Sequence, residues 1–145
     1  MSKSIFIRNL KLGDSVGVIE LWRGTPGIEF FCGEDRAEAI TKYIERNPGL
    51  SFVAMADDRI IGSIMVGHDG WLGFIHHLCV HPNFRGRGLA KQLTEKAVEA
   101  LAGEGIGLVS FVVKSDNEIG NAFWEKNDFV TRPDLLYRNK KIGMD

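Results

Sequence analysis

The sequence has few cysteines, which limits the metal and redox chemistry open to it. Only Cys32 and Cys79 occur among the 145 residues, and they lie far apart without forming a Cys-x-x-Cys pattern. A structural zinc site and a disulfide framework are therefore both disfavoured, and we predict no metal. Unpaired cysteines of this kind indicate a reduced, cytoplasmic location.

The sequence also lacks long apolar runs and an excess of charge of either sign. No stretch approaches the roughly 20 apolar residues that span a bilayer, and the first residues lack the apolar core of a secretory signal. Eighteen basic and nineteen acidic residues give a net charge of -1, which argues against a nucleic-acid binder. We therefore predict neither a membrane nor a nucleic-acid partner.

Composition and apolar periodicity predict one globular domain over residues 1–145. The chain is 44% hydrophobic and 26% charged, as in folded soluble proteins. Helices are expected over 14–22, 35–46, 89–102 and 117–126. Strands are expected over 5–7, 51–56, 59–67, 71–80 and 108–113, with a last strand or pair at 129–130 and 135–138. A hairpin meander followed by β-α-β alternation predicts a mixed sheet flanked by helices.

The segment from His81 to Ala90 joins a predicted strand to a predicted helix through a glycine-rich turn. Backbone N–H groups at the start of a helix have no intrahelical partner, and the helix dipole places partial positive charge there. Gly86 and Gly88 let the backbone approach a ligand, and Arg85 and Arg87 add positive charge. The pattern predicts a phosphate or pyrophosphate site, although the same arginines could be solvated loop charges. The sequence contains no GxxxxGK[ST] pattern, so a nucleotide-binding module of another fold is disfavoured.

Two motifs in this order resemble those of the GNAT superfamily of acyl-CoA-dependent N-acetyltransferases. The first is Arg85-x-x-Gly88-x-Ala90, preceded by the apolar triplet Leu78-Cys79-Val80. The second runs from Asn117 through Phe123-Trp124-Glu125-Lys126 to Phe129, and it is similar to the family's asparagine-to-aromatic C-terminal helix. The order of predicted elements agrees with the family over essentially the whole chain.

The resemblance implies an α+β fold of three layers. Its mixed, mostly antiparallel sheet of six to seven strands would be flanked by about four helices, with central parallel strands that splay apart. Acetyl-CoA would be the co-substrate, with the pantetheine arm along the backbone of Leu78 and Val80 and a backbone N–H near Val80 polarising the thioester. By resemblance, the residues that hold the cofactor are Leu78, Cys79, Val80, Arg85, Gly86, Arg87, Gly88, Leu89, Ala90 and Asn117. Asn117 could also simply cap its helix.

His76 is the candidate general base. Some relatives carry a histidine or glutamate at this position of the strand, and an imidazole pKa of about 6.5 suits a base at neutral pH. Strand alternation predicts that His76 shares a face with Phe74, Leu78 and Val80, while His77 and Cys79 lie on the other. The alternative is a histidine satisfied by the core or by solvent.

Trp124 departs from the family, because many relatives have a tyrosine at this position that is thought to protonate the leaving thiolate. An indole N–H donates a hydrogen bond but does not give up its proton here. Water or Tyr137 could substitute, and a thiol of pKa about 8.5 is a tolerable leaving group without an acid. Trp124 is therefore the doubtful member of the catalytic set.

The resemblance implies an enzyme that transfers an acetyl group to a primary amine by direct transfer in a ternary complex. The acceptor could be a small molecule or a peptide or protein amine, and the enzyme a monomer or homodimer. The loop from Glu29 to Asp35 resembles the variable region that covers the acceptor site in this family, or it packs on the core. A non-catalytic acyl-CoA-binding or regulatory domain is the alternative that Trp124 keeps open.

Overall fold

The computed structural model describes residues 4–26, 28 and 36–143. The chain divides into two compact units, with the boundary between Phe111 and Val112. The predicted loop from Glu29 to Asp35 lies outside the described residues. Within the described residues, no helix is both long and apolar enough to cross a membrane.

The first unit is built on one five-stranded sheet in which neighbouring strands follow the chain order. The three pairings of the first four strands are antiparallel, and the last pairing is parallel. Short 3-10 turns at Leu12–Asp14 and Pro82–Phe84 precede the first and third helices. The elements of this unit are β1 (Ile5–Asn9), α1 (Ser15–Arg23), α2 (Ala37–Arg46), β2 (Phe52–Ala56), β3 (Arg59–His68), β4 (Gly73–Val80), α3 (Leu89–Gly103) and β5 (Val109–Phe111).

Helices cover both faces of this sheet, which confirms the predicted layers. On one face, α1 and α2 bury an apolar cluster that includes Trp22, Ile40 and Met65. On the other face lies α3, whose buried residues recur at helical spacing: Leu89, Leu93, Ala97 and Leu101. Gly62 of β3 marks this second face, because a Cβ there would lie 3.3 Å from the Leu93 side chain.

A β-bulge in β4 corrects the predicted alternation of side chains. Met65 pairs with His77 and Val66 with Ile75, so His76 is the extra residue of the bulge. His76 and His77 consequently both face α1 and α2, since His76 contacts Tyr43 of α2 and His77 contacts Trp22 of α1. Leu78 and Val80 pair with Ile64 and Gly62 and face α3 instead. The prediction that His76 shares a face with Leu78 and Val80 is therefore wrong.

The second unit contains α4 (Glu118–Lys126). The predicted last strand or pair at 129–130 and 135–138 is wrong, and the described residues form five strands rather than six or seven. Arg132 binds Asp134 at 2.8 Å and its carbonyl accepts from the N–H of Leu135, so a local turn joins the two predicted segments, and neither segment is paired as a strand. Val130 and Leu136 stay exposed, at 84% and 78%, whereas Phe129 is half-buried against Trp124. The mixed, mostly antiparallel sheet and the four α-helices are confirmed.

Candidate active site

The glycine loop that follows β4 takes the backbone conformation that its sequence requires. Gly86 and Gly88 have φ of +79° and +78°, in the left-handed region where a Cβ is strained. Both residues are exposed, and a Cβ at Gly86 would meet no atom within 4 Å. The loop therefore presents its backbone to open space next to the start of α3.

The first turn of α3 is left without a side-chain cap. Gly88 occupies the N-cap position, and no side chain caps this helix within the part of the chain described. The helix is 15 residues long, so its dipole places partial positive charge at these N–H groups. The segment from Gly86 to Ala90 is consequently a place where an anion can be bound by backbone donors.

Each of the two arginines of the loop contacts a residue that precedes the loop in the chain. Arg85 donates from Nε to the carbonyl of Val80 at 3.2 Å, which ties the loop to the end of β4. The guanidinium of Arg87 lies over the ring of Phe84, 5.1 Å from its centroid, in a cation-π contact. Phe84 is itself buried. Both arginines remain exposed, so their charge is available beside the N-terminus of α3.

The edge of β4 that faces away from β3 is open next to this loop. Pairing with β5 covers only Gly73 to Ile75 of β4 and ends at Ile75 opposite Phe111. The N–H of His81 donates to Ile61 of β3 at 2.8 Å, so by alternation the polar backbone groups of Val80 and Leu78 point to the opposite edge. Among the described residues, no strand pairs with that edge beyond Ile75. This local geometry agrees with the splaying expected of the two parallel strands.

His76 lies at the bulge, where the pairing with β5 has just ended. Its imidazole is bordered by Phe74 at 4.9 Å and Tyr43 at 5.1 Å between ring centroids. The side chain is exposed on its remaining side. Loss of water from the covered flanks lowers the pKa of His76 below its ordinary value, which favours the neutral imidazole. The geometry thus supplies a solvent-accessible proton acceptor at the point where the pairing of β4 with β5 ends.

His77 and Cys79, by contrast, belong to the core beneath α1. Burial, followed by the neighbouring His76, lowers the pKa of His77 to about 4. Burial raises the pKa of the Cys79 thiol, although Thr25 and Arg85 oppose the shift. The thiol packs in the apolar cluster with Trp22 and Met65. Cys79 is therefore a small buried side chain rather than a nucleophile.

The second unit holds the two remaining predicted site residues. Asn117 caps α4, its Oδ1 accepting the N–H of Gly120 at 2.9 Å. Trp124 is 6% exposed, and its ring contacts Phe123 and Phe129 at 5.0 Å and 4.7 Å. Capping by Asn117 thus exists as predicted, and Trp124 has a packing role within its own unit.

Sequence reasoning did not find Tyr43 or the bulge at His76. Tyr43 lies on α2, 33 positions before His76 in the numbering, and no motif singles it out. The bulge depends on how β4 pairs with β3, which the residues of β4 alone do not reveal. The open edge of β4, the glycine loop and a helix N-terminus without a side-chain cap follow one another along the chain, an arrangement suited to an extended anionic ligand.

Comparison with known proteins places the chain in a family. Residues 16–129 match the model of the acetyltransferase (GNAT) family. The chain is 32% identical over 139 residues to an acetyltransferase of Yersinia enterocolitica and to one of Pectobacterium atrosepticum, and each alignment covers 96% of both proteins. The chain belongs to the GNAT acetyltransferase family. The predicted family and the predicted class of enzyme are confirmed.

Solved structures show the same fold. The aminoglycoside N-acetyltransferase AAC(6')-Iy, solved in complex with CoA, has a TM-score of 0.73 at 22% identity, with 98% of each chain covered. The PaiA N-acetyltransferase of Thermoplasma acidophilum, solved in complex with coenzyme A, has a TM-score of 0.74 at 24% identity, with 86% of this chain and 88% of that chain covered. At these identities the likeness concerns the fold.

Proposed function

We propose that the protein transfers an acetyl group from acetyl-CoA to a primary amine by direct transfer in a ternary complex. The observation that carries the proposal is the continuity of the open edge of β4 with the glycine loop at the start of α3. Neither feature alone selects a ligand. Together they suit one that has a pyrophosphate at one end and a long arm with amide groups at the other.

The chain's own residues fit CoA at this place. The backbone from Arg85 to Ala90 would bind the pyrophosphate, with the uncapped N–H groups and the charge of Arg85 and Arg87 as attraction. The backbone of Leu78 and the N–H of Val80 would pair with the amides of the pantetheine arm, since the carbonyl of Val80 already accepts from Arg85. Cys79 and Leu89 would support this backbone from inside the core, because both side chains are buried. Asn117 remains a proposed polar contact to the pantetheine arm on the strength of the resemblance alone.

The open edge also predicts where the reacting group would lie. From Val80 to Ile75 the strand advances five residues, roughly 17 Å in extended conformation. An arm that starts at the loop and follows β4 therefore ends where β5 begins to pair, next to His76. A backbone N–H on this edge would polarise the thioester carbonyl.

In the proposed reaction, His76 accepts a proton from the acceptor ammonium and releases a neutral amine. The amine nitrogen then forms a bond to the acyl carbon, and the bond from that carbon to sulfur breaks. The sulfur leaves with the electron pair, the nitrogen gives up its second proton, and water passes that proton to the sulfur, so that the products are an amide and CoA thiol. No cysteine intermediate is involved, which agrees with the buried, poorly ionised Cys79. Water serves as the proton donor to sulfur, since the indole of Trp124 does not give up a proton.

The proposed acceptor is a primary amine of a small molecule or a peptide. We also propose that the enzyme is cytoplasmic and that it is a monomer or a homodimer. A non-catalytic CoA-binding domain is the second candidate, and the observation that favours it is Trp124 packed between Phe123 and Phe129, where relatives would have an acid.

Release of CoA thiol from acetyl-CoA, measured across a panel of amines and peptides, tests the proposal. We expect turnover with at least one acceptor class, and a fall of about a hundredfold in His76→Gln, the usual contribution of a positioned base. Calorimetry with CoA should show equal affinity in wild type and His76→Gln, because the imidazole lies at the acyl end. Tight CoA binding without turnover on any amine would favour the non-catalytic candidate.

A further inference from the structure

Two aromatic side chains from different elements border the imidazole of His76. Tyr43 of α2 meets it in a T-shaped arrangement, with an interplanar angle of 89° and ring centroids 5.1 Å apart. Phe74 of β4 lies on another side at 4.9 Å and 54°. An edge-to-face contact on one side and a tilted contact on another restrict the orientation of the imidazole. The imidazole is therefore held between a strand neighbour and a helix that packs on the sheet.

Tyr43 reaches this position because β3 has a glycine beneath it. A Cβ at Gly67 would collide with the Tyr43 hydroxyl and would lie 2.7 Å from Cγ and Nδ2 of Asn47. Gly67 pairs directly with Phe74, so the space that it leaves is next to the aromatic group around His76. The end of α2 is fixed to β3 at the same place, because Asn47 Oδ1 accepts the N–H of His68 at 3.0 Å.

We propose that Tyr43 is a positioning residue for the acetyl transfer, which orients His76 from α2 by ring contact and depends on Gly67 for its place. This inference rests on the proposed function of His76 as the base. Tyr43 itself does not exchange the proton: burial raises the pKa of its phenol above the ordinary value, so the hydroxyl stays protonated at neutral pH. Tyr43 contributes by fixing the orientation of the imidazole and by excluding water from one side of it.

The described titratable groups around His76 set the expected direction of the pH effect. They are Tyr43 from α2 and His77 from β4, and both are neutral near pH 7. Removal of the Tyr43 ring would let water reach the covered flank of His76, which should raise its pKa toward 6.5. A base must be unprotonated to act, so the acid limb of kcat/KM should move to higher pH.

The test compares Tyr43→Leu, which removes the ring, with Tyr43→Phe, which keeps it. His76 is titrated by NMR of the imidazole signals, assigned with His76→Gln. We expect Tyr43→Leu to raise the pKa of His76 and to lower kcat at pH 7 about tenfold, a part of what a positioned base contributes. Tyr43→Phe should keep the wild-type titration and a kcat within about twofold of wild type.

Gly67→Ala gives a second test that leaves both rings in the chain. The new methyl group displaces both Tyr43 and Asn47, so the titration of His76 and the pH profile should shift in the same direction as in Tyr43→Leu. Gly62→Ala is the matched control on the same strand, because it crowds Leu93 and Ala54 on the opposite face. It should lower thermal stability without moving the His76 titration.

The outcomes separate this inference from the proposed function. An unchanged His76 titration in folded Tyr43→Leu and Gly67→Ala would overturn the role of Tyr43 and leave the acetyltransferase proposal standing. A wild-type rate in His76→Gln would overturn His76 as the base, and the positioning role with it. A shifted titration together with a shifted acid limb in both variants would support the inference.

Discussion

The indole of Trp22 lies against the imidazole of His77, with ring centroids 4.6 Å apart and an interplanar angle of 54°. The same indole donates from Nε1 to the hydroxyl of Ser63 at 3.1 Å, in a fully buried contact between α1 and β3. These contacts bind α1 to the middle of the sheet. They also place His77 where a positive charge is poorly solvated.

The first prediction is that this placement makes stability depend on pH. The pKa of His77 is about 4 in the folded protein and about 6.5 when unfolded, so the unfolded chain binds the proton first. The free energy of unfolding should therefore fall as the pH drops from about 6.5 to about 4, by about 3 kcal/mol from this residue. Urea unfolding at a series of pH values measures the slope.

His77→Phe is the variant for this prediction, because it keeps a ring against Trp22 and removes the titration. Its free energy of unfolding should vary less between pH 6.5 and 4 than that of the wild type. Ile75→Val is the control, because it alters a buried side chain that does not titrate, and it should keep the wild-type slope. An unaltered slope in His77→Phe would show that other groups cause the acid sensitivity.

The second prediction concerns Gly88→Ala in the glycine loop. Gly88 has φ of +78°, and an L-residue in this conformation costs about 1–2 kcal/mol. There is room for the methyl group, since the nearest atom to a Cβ is Gln92 Nε2 at 3.8 Å. We expect a folded protein with somewhat lower stability whose CoA dissociation constant rises at least about tenfold, because the backbone donors move.

Calorimetry with CoA and thermal unfolding of the same sample check the Gly88 prediction. Gly103→Ala at the C-terminal end of α3 is the control, because its φ is ordinary and no atom lies within 4 Å of the new Cβ. It should keep wild-type affinity. Equal affinity in Gly88→Ala and wild type would contradict a pyrophosphate site at this loop.

The third prediction is that Trp124 matters for packing more than for proton transfer. Trp124→Phe keeps an aromatic ring next to Phe123 and Phe129, so kcat should change less than about threefold. Trp124→Ala should lower stability by about 3–5 kcal/mol, the usual cost of removing a buried tryptophan. Kinetics and urea unfolding of both variants test this, and a large loss of kcat in a stable Trp124→Phe protein would assign the indole a direct role.

The part of the site that sequence reasoning predicted is governed by local interactions. A positive φ could be predicted at Gly86 and Gly88, because few other residues adopt it at low cost. The helix that follows could be predicted from the helical spacing of Leu89, Leu93 and Leu101. The predicted resemblance to the family rested on two local motifs and on the order of the elements. The predicted contacts of CoA and the role of Asn117 stay predictions.

The amino-acid sequence by itself determined the strand, the glycine loop and the helix that follows it, because each depends on residues adjacent in the chain. Only the tertiary structure decided which way the side chain of the candidate base His76 points. The bulge turns His76 toward α2 because β4 has one residue more than β3 along their pairing, a property of two strands together. Likewise, residues 129–130 and 135–138 form no strand although their apolar residues predicted one, since a strand forms only where it meets a partner edge.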